Sequence, residues 1–174
     1  MATSKDGIQI RPMVLADSTE YRQCVGEVAK ERRYLATVEG FTPEQAKIFV
    51  QRIVAEHLAV RVASFNGRII GWCDIIPKAQ PGYTHAASLG MGVLQPWRNQ
   101  GLGRGLLEAT LAAARQQTIE RIELIVYSDN ARAIGLYESA GFLHEGRKQN
   151  ARRIDGTYQD ELLMALMLMP GDKS

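Results

Sequence analysis

The chain is poor in cysteine, with Cys24 and Cys73 the two among 174 residues. They have neither metal-ligand spacing nor the density of a disulfide scaffold. Both are expected to be buried small hydrophobes, Cys24 on the apolar face of a helix and Cys73 within a strand. An excess of one charge is equally lacking. Lys plus Arg number 21 against 19 for Asp plus Glu, a net of +2, which argues against nucleic acid or an anionic membrane as main partner and leaves an anionic small ligand compatible. Long apolar runs are missing as well: the longest, Leu162 to Met169, is far too short to span a bilayer. The opening Met1-Ala-Thr-Ser-Lys-Asp-Gly7 contains no apolar signal core. With no repeat, low-complexity tract or linker, these absences predict one metal-free cytoplasmic domain over residues 1–174, large enough for a continuous core.

What is present is a glycine-rich turn, Arg98-Asn99-Gln100-Gly101-Leu102-Gly103-Arg104-Gly105. Ala86 to Leu94 before it is short and apolar, and Leu102, Leu106, Leu107, Thr110, Leu111 and Ala114 after it recur at helical spacing. The glycines therefore stand where a strand becomes a helix. Unpartnered N–H groups and partial positive charge gather at a helix start, glycine lets backbone approach a phosphate closely, and Arg98 and Arg104 add formal charge. The expected ligand is a diphosphate.

Along the chain, Ile8 to Pro12 reads as a strand, and Tyr21, Cys24, Val25 and Val28 mark a helix reaching about Lys30. A polar link, Glu31-Arg32-Arg33-Tyr34-Leu35, follows it. Thr42 as cap, Pro43 at the first helical position and Gln45 three residues after the cap open a second helix with Ala46, Phe49, Val50, Ile53 and Val54 buried; His57 is expected to continue that stripe. Leu58 to Phe65 and Arg68 to Ile76, joined by Asn66-Gly67, predict a hairpin. A loop from Pro77 to Tyr83, a strand from His85 to Leu94, a helix from Gly103 to Gln117 and a strand from Arg121 to Tyr127 then form a crossover with parallel strands. A helix over Asn130 to Ala140, capped by Asp129 or Asn130 and stopped by Gly141, precedes closing strands, Phe142 to Arg147 and Tyr158 to Met169, around a turn at Asp155-Gly156. The fold class is a mixed α/β (α+β) domain. Its sheet is expected to have six to seven strands, mostly antiparallel with one parallel crossover, and helices on both faces.

Two rival readings of the turn fail. A triphosphate-binding P-loop needs Gly-Lys followed by Ser or Thr, but Gly103 is followed by Arg104. A dinucleotide fingerprint needs a third glycine or alanine where Leu106 stands. The segment Arg98 to Gly103 instead resembles the Arg/Gln-x-x-Gly-x-Gly/Ala coenzyme A loop of the GNAT superfamily of N-acetyltransferases. A second block, Asn130-Ala-Arg-Ala-Ile-Gly-Leu-Tyr-Glu-Ser-Ala-Gly-Phe142, resembles that superfamily's Asn-x-x-Ala-x-x-Leu-Tyr-Glu-x-x-Gly-Phe. Asp155-Gly-Thr-Tyr-Gln-Asp160 is similar to members that acetylate free amino acids or amino-acid-like amines.

The resemblance implies direct transfer of acetyl from acetyl-CoA, a co-substrate, to a primary amine of a small molecule such as an amino acid. It places the cofactor diphosphate on backbone N–H groups from Asn99 through Gln100, Gly101, Leu102 and Gly103 to Arg104, and the pantetheine arm as an added strand against Met91 and Val93. Asn130 is expected to hydrogen-bond that arm while capping its helix, and Tyr137 to act as general acid toward the leaving thiolate. No glutamate stands on the strand before the loop, so His85, Glu31 and Asp74 remain alternative bases, with bulk water a fourth acceptor. Trp72 and Tyr83 are candidate walls of the acceptor site, and Arg33 a candidate fork for a substrate carboxylate. A protein or peptide N-terminus as acceptor, and a non-catalytic acyl-CoA sensor, are the alternatives. A homodimer through the C-terminal strands is compatible with the resemblance.

Overall fold

In the computed structural model residues 7–168 are described; Met1 to Asp6 and Met169, on which the leader reading and the end of the closing strand fall, lie outside them. The chain divides into two compact units, one of residues 7–75 with 90–114 and the other of 76–89 with 115–168.

In the first unit, β1 (Gln9–Pro12) pairs antiparallel with β2 (Ala59–Phe65), which pairs antiparallel with β3 (Arg68–Pro77). The β2–β3 turn has φ of +48° at Asn66 and +79° at Gly67, two left-handed residues of the kind that match the twist of a two-residue hairpin. Helix α1 (Ser18–Lys30) buries Tyr21, Cys24, Val25, Val28 and Ala29. Helix α2 (Pro43–Ala55) begins with the expected reciprocal cap: the Gln45 N–H donates to Thr42 Oγ1 at 3.2 Å and the Thr42 N–H to Gln45 Oε1 at 2.9 Å. Ala46, Val50 and Ile53 are buried beneath it.

His57 is a correction to the sequence reading. It does not extend the buried stripe, because the helix closes at Glu56 and His57 turns to φ +51° as an exposed residue past the C-cap. Helix α3 (Leu102–Ala114) stops one turn earlier than expected, with Leu102, Leu106, Leu107, Thr110, Leu111 and Ala114 buried.

Strand β4 (Ala86–Val93) runs through both stretches of sequence. In the second unit its first residues, Ala86 to Ser88, lie parallel to Arg121 to Glu123 of β5 (Arg121–Tyr127). Helix α4 (Ala131–Ser139) follows and ends at Gly141, φ +93°. The chain closes with β6 (Leu143–Ile154) and β7 (Thr157–Met167), antiparallel about a turn with φ of +48° at Asp155 and +79° at Gly156.

β6 runs seven residues beyond the expected end at Arg147. Its distal half is charged and exposed, and so lacks the apolar alternation from which a strand is read. A bulge interrupts it between Lys148 and Arg152, where Asn150 takes φ +51° and its N–H donates to Asp160 Oδ1 at 2.7 Å.

The strand order is β1-β2-β3-β4-β5-β7-β6, a seven-stranded, mostly antiparallel sheet with one parallel pair, and the class is mixed α/β as expected. Cys24 and Cys73 are both buried free thiols, and burial pushes the Cys24 thiol up to about 12, far from reactive ionisation. Among the described residues no helix is long and apolar enough to cross a membrane.

Candidate active site

The glycine turn is built by the end of β4 and the start of α3. Asn99 (φ +62°) and Gly101 (φ +82°) are both left-handed, a backbone conformation of the kind found in turns that bind anions. A side chain at 101 would meet nothing within 4 Å, so its backbone conformation and not crowding selects glycine there. The first helical bond runs from the Gly105 N–H to the Gly101 carbonyl at 3.1 Å. The N–H groups of Leu102, Gly103 and Arg104 thus belong to the helix's first turn, where no intrahelical acceptor exists. Gln100 Nε2 braces the turn on the Pro96 carbonyl at 2.9 Å. The exposed Arg104 side chain reaches Glu108 at 3.8 Å.

Arg98 has a different place from the one its charge suggested. Its Nε donates to the Val93 carbonyl at 2.8 Å, and its two terminal nitrogens donate to the two Glu31 oxygens at 2.8 and 2.5 Å. Its guanidinium also lies over the Tyr34 ring, 4.8 Å from the centroid, and Arg33 stacks on the same ring at 5.6 Å. Arg98 is therefore a clamp that fixes the link after α1 onto the end of β4, with its charge met by Glu31. Glu31 in turn has both oxygens engaged.

The β3–β4 surface of the same unit holds Trp72 and Asp74. Trp72 is buried, 3% exposed, so it is core and no open wall. Its ring meets Tyr21 edge-on with centroids 6.0 Å apart, and Tyr21 stacks on Phe41 and Phe49 at 6.0 and 5.8 Å. The Trp72 Nε1–H donates to Asp74 Oδ2 at 3.1 Å. Asp74 is half-buried, and desolvation pushes its carboxyl up to about 7 against the opposing pull of the Trp72 and Gly90 N–H groups. Met91 and Val93 stand half-buried on β4 beside Gly90 and Gly92.

In the second unit, His85 is exposed just before β4, its backbone carbonyl accepting the Glu120 and Arg121 N–H groups at 2.8 and 3.2 Å. Tyr83 is 55% exposed, with the Lys78 ammonium 5.3 Å from its ring centroid. Asn130 is the cap of α4, its Oδ1 accepting the Ala133 N–H at 3.3 Å. That bond uses the carboxamide oxygen, and the NH2 is the donor half of the amide. Tyr137 is 7% exposed, its ring 5.8 Å from that of Phe142.

The Arg98 clamp and the Asp74 arrangement were missed as structures in the sequence. A signal for the second was present: Trp72-x-Asp74 on one strand and Gly90-x-Gly92 on its successor share the two-residue period of a strand face.

Known proteins match this chain in sequence and fold. The family profile described as "Acetyltransferase (GNAT) family" matches residues 24–142. The L-amino acid N-acetyltransferase AaaT of Escherichia coli (strain K12) is 32% identical over 105 residues, 60% of this chain and 65% of that protein. An N-alpha-acetyltransferase of Sulfurisphaera tokodaii is 29% identical over 105 residues, 54% of this chain and 62% of that protein. The chain thus spans less than two thirds of the length of either relative. Among solved structures, a GNAT-family acetyltransferase from Streptococcus pneumoniae is 26% identical with a TM-score of 0.85, covering 92% of this chain and 99% of that one. The structure of yncA from Salmonella typhimurium with its cofactor acetyl-CoA has a TM-score of 0.88 at 19% identity over 95% and 96% of the two chains, a likeness of fold. With the profile spanning well over half of its length, and the glycine turn and the Asn130–Phe142 segment both within or at its borders, this chain belongs to the acetyltransferase (GNAT) family.

Proposed function

We propose that the chain, working as one catalytic domain over residues 1–174, transfers acetyl directly from acetyl-CoA to the primary amine of a small molecule such as an amino acid. The observation that carries this reading is the turn from Arg98 to Gly105: left-handed Asn99 and Gly101 lead into the first turn of a 13-residue helix, whose N–H groups at Leu102 and Gly103 precede the first helical bond. Such a group of donors fits a diphosphate. The pantetheine arm would lie along Met91 and Val93, and the Asn130 NH2 would donate to one of its carbonyls. Arg98 holds the cradle in place through Val93 and Glu31.

A thioester is reactive toward a neutral amine, so the work left to the protein is alignment and proton traffic. The Tyr137 hydroxyl is the group proposed to protonate the departing thiolate. Amino acids are favoured as acceptors by the likeness to the L-amino acid N-acetyltransferase and by the Asp155–Asp160 segment. A peptide N-terminus is the second reading, favoured by the likeness to the N-alpha-acetyltransferase. The expected setting is the cytoplasm.

The test has two steps. Acetyl-CoA should raise the melting temperature, since a ligand that binds only the native state adds to its stability. Free thiol should then appear with amino acids and not with amine-free controls. Tight binding with no release across amino acids, N-terminal peptides and other amines would replace the enzyme by a sensor, and no binding at all would remove both.

A further inference from the structure

No Asp or Glu stands on β4 from Ala86 to Val93. A carboxylate nevertheless lies against that strand, supplied from β3. Trp72 and Asp74, two residues apart, point to one face of β3, and the residues they meet on β4 are Gly92 and Gly90. A Cβ built on Gly92 would stand 2.3 Å from the Trp72 ring, and one on Gly90 would stand 3.1 Å from both Asp74 oxygens. The two missing side chains on β4 are what let an indole and a carboxylate lie over its backbone. The Gly90 N–H donates to that carboxylate, and the residue after Gly90 is Met91.

We propose that Asp74 is the catalytic residue that takes the proton from the acceptor ammonium, a role that rests on the acetyl-transfer reading above. The other candidates are spent or placed otherwise: Glu31 is engaged at both oxygens by Arg98, and His85 precedes the first residue of β4. Asp17 and Glu123 are likewise tied to Arg11 and to Lys78 with Arg121. Among the described ion pairs none includes Asp74. Its two donors, the Trp72 indole and the Gly90 amide, orient it without neutralising it. From α1 the buried Tyr21 phenol faces it, raised by its own burial and by the Asp74 charge, and from β3 the neighbouring Cys73 thiol is raised by its burial. Glu20, Arg22, Glu27 and Lys30 on α1 and Arg68 on β3 are not among the groups that act on the carboxyl, which are its burial, the Trp72 indole and the Gly90 amide. Desolvation brings the carboxyl to about 7, so that near neutral pH it is both ionised enough to accept a proton and basic enough to keep it briefly.

The proton balance is complete. The ammonium N–H bond breaks and its proton goes to an Asp74 oxygen, leaving a neutral amine. The nitrogen lone pair forms the N–C bond at the thioester carbonyl, the C–S bond breaks, the Tyr137 hydroxyl protonates the thiolate sulfur, and the second nitrogen proton, lost as the amide forms, passes through water to restore the Tyr137 hydroxyl. Asp74 then returns its proton to water. The sum is ammonium plus thioester giving amide, thiol and one proton.

The test is thiol release from acetyl-CoA by wild type, Asp74→Asn and Asp74→Glu at saturating amine between about pH 5.5 and 9. Wild type should lose kcat about tenfold per pH unit below about 7. Asp74→Asn should lower kcat about 100-fold or more, flatten that acid limb and leave KM for acetyl-CoA within about twofold of wild type. Asp74→Glu should keep a limb. A folded Asp74→Asn with the wild-type rate and limb overturns the proposal while leaving acetyl transfer intact. If Asp74→Asn does not fold, a wild-type kcat flat from about pH 6 to 8 overturns it alone. A wild type that transfers to no amine sinks the acetyl-transfer reading itself, and this proposal with it.

Discussion

Two parts of the first unit are proposed to serve one reaction, and they are made of different material. The turn from Arg98 to Gly105 is a backbone site: its donors are N–H groups, and its side chains brace it, as Gln100 does on Pro96 and Arg98 on Val93. The surface around Asp74 is a side-chain site, shaped by an indole, a carboxylate and the absence of two Cβ atoms on β4. A backbone site depends on φ and on where a helix starts, so most side-chain changes leave it standing. A side-chain site fails with a single misplaced atom.

The largest expected effects separate the two by chemistry. Beyond the Asp74→Asn comparison, Tyr137→Phe should keep the fold and the affinity for acetyl-CoA and lower turnover about 100-fold, read by thiol release beside a binding titration; unchanged turnover removes the general-acid role. Gly92→Ala comes next. Its Cβ would overlap the Trp72 ring at 2.3 Å, so a loss of about 1–3 kcal/mol is expected in denaturant unfolding, with activity falling as Asp74 loses its indole donor.

Gly101→Ala strikes the backbone site. Forcing a Cβ to φ +82° should cost about 1–2 kcal/mol and weaken acetyl-CoA binding, while leaving the pH dependence of turnover as in wild type. The smallest effect belongs to the clamp. Arg98→Lys keeps the charge and loses the two-pronged grip on Glu31, costing about 1 kcal/mol, visible as a lower melting temperature and weaker acetyl-CoA binding.

The Asp74 carboxyl also makes a stability prediction with a definite sign. The unfolded chain releases this proton near 3.8, whereas the folded protein keeps it to about 7. Between those values the native state binds more protons, so wild-type stability falls as pH rises, and that loss is complete above about 7. Asp74→Asn lacks this dependence. Its stability relative to wild type should therefore rise from pH 4 to 7 in parallel chemical melts; a difference independent of pH would mean an ordinary carboxyl at 74.

Where the signal is local, the sequence anticipates the fold closely. Asn66-Gly67 and Asp155-Gly156 both form hairpin turns with two left-handed residues, and the Thr42/Gln45 cap closes as its spacing requires. The misses have physical causes. His57 continues an apolar spacing but falls after the helix has unwound. The far half of β6 is held by β7, through pairs such as Arg153 with Tyr158, and by a bulge anchored on Asp160, none of which leaves an apolar pattern. The Arg98 clamp leaves no mark in the sequence, because Glu31 lies in another element and reaches Arg98 only in the fold. Asp74 was one carboxylate among several in the sequence. Pairing β3 with the glycines of β4 sets it apart.

The distinction between the two sites rests on the state of one side chain, and it can be observed without a substrate. Carboxyl carbon shifts of the aspartates, followed by NMR through a pH titration and assigned at Asp74 by comparison with Asp74→Asn, report that state directly. Asp74 is expected to titrate at about 7. Titration near the ordinary value of about 4 would contradict a proton acceptor at this position.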